Sequence, residues 1–97
     1  MGNDMRRILL VDDDRLVLAT LASGIEASGY TVAKAGSGEE ALAMVDSFNP
    51  HLVVMDVCLP GISGIETARR IRAQSDIPVI FLSAYDDPEM VRESIAL

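Results

Sequence analysis

The chain has 97 residues, 49% of them hydrophobic and 24% charged, which suits one small soluble domain spanning residues 1–97 and leaves no room for two. Eight basic and fifteen acidic residues give a net charge of −7, which argues against direct nucleic-acid contact, because phosphate binding needs a basic face. The single cysteine, Cys58, forms no internal disulfide, no apolar run approaches bilayer length, and Arg6-Arg7 precede too short an apolar run for a signal peptide, so a reduced, cytoplasmic setting with no membrane partner is expected.

Ile8-Leu9-Leu10-Val11 reads as a strand buried on both faces, cut off by Asp12-Asp13-Asp14. From Arg15 to Ser28, Leu18, Leu21, Ala22 and Ile25 recur at helical spacing, and Gly29 is a natural stop. Tyr30 to Ala35 predicts a second strand, more polar and so placed near an edge. Ser37 and Glu40 form a capping box that opens a helix through Ala41, Leu42 and Val45, and Asn49-Pro50 breaks the chain after it.

Leu52-Val53-Val54-Met55 is a third strand, ending at Asp56. Leu59 to Gly64 carries turn chemistry, and a further helix follows with Ile65, Ala68 and Ile71 as its expected buried face. Ile77 to Leu82 predicts a fourth strand, its proline near the start, where a missing N–H is best tolerated. Asp87 and Pro88 suit the opening of a last helix through Val91 and Ile95. Strands alternating with helices predict an α/β fold with a parallel sheet and helices on both faces.

Ligands of open α/β sheets bind beyond the carboxyl ends of the strands. Here those ends carry Asp12-Asp13-Asp14, Asp56 and Ser83-Ala84. Carboxylates brought together repel unless one is protonated or a cation sits between them. A hard cation such as Mg²⁺ takes carboxylates and phosphate oxygens as ligands. An aspartate beside it can act as a nucleophile toward phosphorus. The Ser83 hydroxyl and the Ala84 N–H suit a phosphate oxygen, and the Cys58 carbonyl suits the metal.

Each residue taken singly has a plainer role. Asp14 suits a helix cap, Ser83 a turn, and His51 a surface position at the far end of the sheet. Asp56 resists such a reading, because Val57-Cys58-Leu59-Pro60 follows it and a helix cap does not fit there.

The segments 8–14, 52–66 and 78–84, in that order, resemble the receiver domains of two-component response regulators, and the resemblance runs from Arg7 to Leu97. It implies a flavodoxin-like open sheet. It also implies that Asp56 accepts a phosphoryl group from a sensor histidine kinase or a phosphotransfer protein. Asp13 would bind Mg²⁺ directly and Asp12 through water, with Asp56 and the Cys58 carbonyl completing the ligands. Ser83 and Ala84 would contact the phosphoryl group and act as the switch. The domain would not be an enzyme beyond its own phosphorylation and dephosphorylation.

The family pattern continues into a fifth strand, carrying a lysine and a switch aromatic, and a fifth helix. This sequence stops at Leu97, so the expected sheet order is 2-1-3-4 without them. The fourth strand then offers an apolar edge, which predicts a homo-oligomer built through that edge. A phosphorylation-impaired pseudo-receiver acting as an interaction module is the alternative. A Mg²⁺-dependent phosphohydrolase is a third reading, for which no general acid or lid is visible.

Overall fold

A computed structural model describes residues 6–82. Its elements run in chain order β1 (Arg7–Val11), α1 (Arg15–Ala27), β2 (Thr31–Ala35), α2 (Gly38–Phe48), β3 (Leu52–Asp56), α3 (Gly64–Gln74) and β4 (Val79–Leu82). The expected helix opening at Asp87-Pro88 lies outside the described residues. The four strands are parallel, in the order β2-β1-β3-β4, as expected. The more polar β2 is indeed an edge strand.

The period-2 alternation of the strands sorts their side chains between two helical layers. Leu9, Val11, Val53 and Met55 pack with Ala41, Val45 and Ile71 beneath α2 and α3. Ile8 and Leu10 pack with Leu18 and Ala22 of α1 on the opposite face. Burying a leucine such as Leu9 or Leu10 contributes about 1.5–3 kcal/mol, so β1 anchors both layers.

Local chemistry sets the helix ends. Asp14 caps α1 by accepting from the Leu16 and Val17 N–H groups at 2.9 and 3.2 Å. Ser37 caps α2 by accepting from the Glu40 N–H at 3.1 Å. Glu40 reaches back one residue further than a capping box requires, to the Gly36 N–H at 2.8 Å. Asn49 ends α2 in the left-handed region at φ 52°, a conformation asparagine tolerates.

Two expectations need correction. β4 starts at Val79, and Pro78 lies just before it, where its carbonyl accepts from the Val53 N–H at 3.0 Å. The buried face of α3 is Gly64, Thr67, Ala68 and Ile71. Ile65 instead lines an open surface depression with Arg69 and Arg72. Helices flank both faces of the sheet, as expected, and Leu52 and Val54 of β3 pack against the α1 cluster. Ile80 and Leu82, which share the α1 side of the sheet with Val54, remain 51% and 38% exposed.

Candidate functional site

The direction of strand addition reverses between β1 and β3, with β2 on one side and β4 on the other. Such a reversal opens a crevice at the carboxyl ends of the two central strands. Asp12 directly follows β1 there, and Asp56 is the last residue of β3.

Oxygens of Asp12, Asp13 and Asp56 lie within 4.8 Å of one another, with Asp12 and Asp56 half-buried and Asp13 exposed. The sequence-predicted carboxylates therefore converge. Asp14 does not join them, because its carboxylate caps α1.

Backbone N–H groups orient two of the three carboxylates. Asp12 Oδ1 accepts from the Asp14 N–H at 2.9 Å, and the Asp12 N–H donates to the Ala35 carbonyl at 3.1 Å. Asp56 Oδ1 accepts from the Cys58 N–H at 3.2 Å. Burial pushes the Asp12 carboxyl above its ordinary value, the Asp14 N–H opposes this, and the charges of Asp56, Asp13 and Asp14 push it further up.

Such a site favours a cation. Mg²⁺ takes oxygen ligands at about 2.0–2.1 Å and keeps several waters, so carboxylates at this spacing fit it directly or through water. Among the described residues, this is the only group of three or more acidic, histidine or cysteine side chains that could hold a metal ion.

Cys58 is exposed, and its thiol belongs to no such group. His51 lies at the other end of the sheet, where its Nδ1 accepts from the Arg7 N–H at 2.9 Å and ties the start of β3 to β1. The expected phosphate contacts, Ser83 and Ala84, lie outside the described residues.

The loop between β3 and α3 carries residues whose roles were not read from the sequence. Ser63 caps α3 by accepting from the Glu66 N–H at 3.1 Å. The S-x-x-E spacing of Ser63 and Glu66 repeats that of Ser37 and Glu40 and was the available signal. The Gly64 N–H donates to the Val57 carbonyl at 3.1 Å, and a Cβ at Gly64 would collide with the Asp56 carbonyl oxygen. The fully buried Thr67 donates its hydroxyl to the Ser63 carbonyl at 2.7 Å. These contacts pin the first turn of α3 against the backbone of Asp56.

Residues 8–97 match the model of the response regulator receiver domain family. The chain is 45% identical over 91 residues to the transcriptional activator protein ExaE of Pseudomonas putida, covering 91% of this chain and 42% of that protein. It is 39% identical over 87 residues to the DNA-binding response regulator MtrA of Mycolicibacterium smegmatis, covering 90% of this chain and 38% of that one. The chain thus spans about two fifths of the length of these curated relatives.

Among solved structures, the response regulator TrrA of Thermotoga maritima, in complex with Mg(2+)-BeF, superposes with a TM-score of 0.80 at 41% identity, covering 84% of this chain and 72% of that one. The chemotaxis response regulator CheY4 of Vibrio cholerae gives a TM-score of 0.85 at 29% identity, covering 95% and 79%. The expectation of no direct nucleic-acid contact finds no support among these relatives, one of which is named as DNA-binding.

Proposed function

The chain belongs to the response regulator receiver domain family, and from that premise we propose that it is a phosphoacceptor whose phosphorylated residue is Asp56. The observation that carries this reading is the convergence of Asp12, Asp13 and Asp56 at the carboxyl ends of the two central strands. Asp12, Asp13, Asp56 and the Cys58 carbonyl would hold Mg²⁺, which when bound would offset charge on the phosphoryl oxygens.

The chain's own residues do the rest. The Cys58 N–H orients the Asp56 carboxylate, leaving its other oxygen to attack phosphorus. The phosphorus–nitrogen bond of a donor phosphohistidine breaks as the new bond forms, and its electron pair stays on the imidazole. Ser83 and Ala84 are proposed to contact the transferred group and to pass the change onward. The donor is a sensor histidine kinase or a phosphotransfer protein, and the setting is cytoplasmic; the absence of a helix long and apolar enough to cross a membrane, among the described residues, is consistent with that. The chain is not proposed to act as an enzyme on any other substrate.

The test is phosphorylation by a small-molecule phosphodonor with Mg²⁺, followed by intact mass. One phosphate adduct is expected, absent with a chelator and absent in Asp56→Asn. No adduct on a folded sample, or an adduct that survives Asp56→Asn, sinks this reading. We further propose that the 97-residue polypeptide self-associates through the exposed side of β4.

A further inference from the structure

We propose that Glu39 is a positioning residue for the phosphorylation site, holding the β3–α3 loop from the first turn of α2. The proposal rests on the reading of Asp12, Asp13, Asp56 and Cys58 as the metal and phosphoryl site.

Glu39 and the loop lie 23 residues apart in sequence, yet Glu39 Oε2 accepts from the Ile62 N–H at 3.4 Å. The same carboxylate packs over Gly61. A Cβ there would lie 2.7 Å from Oε2 and 3.2 Å from Oε1, so a larger residue would push the carboxylate back from the loop. Gly61 also takes φ +74°, which favours glycine independently.

The neighbouring residue closes the same junction. Gly38 is packed so tightly that a Cβ would collide with the Thr67 hydroxyl and lie 2.7 Å from Ile62 Cγ1. Residues 38–39 therefore grip residues 61–62 through a hydrogen bond and through backbone-close packing. At its other end the loop begins with Val57 and Cys58, and the Cys58 N–H bonds Asp56.

Fixing Gly61–Ile62 leaves few residues between that anchor and Cys58. Releasing it lets the Cys58 peptide, with its N–H on Asp56 and its carbonyl offered to the metal, sample other orientations. Groups that orient metal ligands from outside the coordination sphere commonly change affinity by about 10–100-fold when removed. Glu39 is exposed and acts through a loop, so the lower end of that range applies.

Mg²⁺ affinity is measured by isothermal titration calorimetry on the whole chain, alongside amide hydrogen exchange at Ile62. Glu39→Ala is expected to weaken Mg²⁺ binding roughly tenfold and to lose protection at Ile62, with the thermal midpoint close to wild type. Glu39→Gln keeps an oxygen acceptor and is expected to restore both. Asp46→Asn, a charge-matched change on an exposed residue of α2, is expected to leave both unchanged.

Glu39→Ala binding Mg²⁺ as tightly as wild type overturns the proposal. Equal weakening in Glu39→Ala and Glu39→Gln also overturns it, since charge rather than positioning would then be responsible. A folded wild-type chain that binds no Mg²⁺, yet shows Glu39-dependent protection at Ile62, overturns the reading of the site and this proposal with it, while leaving the brace itself standing.

Discussion

Asp12 concentrates the electrostatic conflict of the site. Burial and three neighbouring carboxylates raise its pKa above the ordinary 3.8, and the one opposing contact is the Asp14 N–H. Because the folded form holds its proton more tightly than the unfolded chain does, stability falls as pH rises from about the ordinary value through the raised one. Without metal, the thermal midpoint is therefore expected to drop across that window as this group ionises. Asp12→Asn is expected to flatten the drop and raise the midpoint at neutral pH, while Mg²⁺ stabilises wild type more at neutral pH than near pH ~4. Midpoints across pH, with and without Mg²⁺, check both; a metal-free wild type that gains stability through the window contradicts the picture. Asp12, Asp13 and Asp56 were legible in the sequence because each follows closely on an apolar strand. Glu39 was not, because its partner lies on a distant loop and no local spacing announces it.

At the scale of elements, the junction of β3 with α3 decides how firmly Asp56 is held. Gly64 meets the Asp56 carbonyl, and neither backbone can retreat without unpairing the Gly64 N–H from Val57. Gly64→Ala is expected to destabilise by about 1–3 kcal/mol, the range for overpacking. Ser63→Ala, which removes the α3 cap, is expected to lose about 1 kcal/mol. Gly24 provides the contrast: it lies within α1, and a methyl group added there would meet nothing within 4 Å, so Gly24→Ala is expected to stabilise by about 0.5–1 kcal/mol. Urea unfolding of the three variants tests the set, and a stabilising Gly64→Ala would refute the close approach. Among the described residues, the strands and helices were legible to within a residue or two, because caps such as Ser37 and breaks such as Asn49-Pro50 mark their ends. The buried face of α3 was misread because Ile65 is more apolar than Thr67. A threonine whose hydroxyl is satisfied by the Ser63 carbonyl can be buried completely, and hydrophobicity alone does not register that.

For the molecule as a whole, the sequence shows that strands are apolar without showing which face is covered. Leu52–Met55 and Val79–Leu82 read as continuous apolar runs, a pattern that fits a strand packed on both sides. Yet Val53 and Met55 are buried beneath α2 and α3, while Ile80 and Leu82 stand open on the α1 side. Among the described residues β4 also pairs on one side only, with β3. Exposed apolar side chains beside an unpaired strand edge invite a second chain. The 97-residue polypeptide is therefore expected to associate with rising concentration, in sizing with light scattering. The double variant Ile80→Lys, Leu82→Lys is expected to shift it toward monomer, because both side chains stand open on the α1 side of the sheet. A wild-type chain that stays monomeric across the concentration range removes the case for self-association. Association that persists in the double variant moves the interface elsewhere.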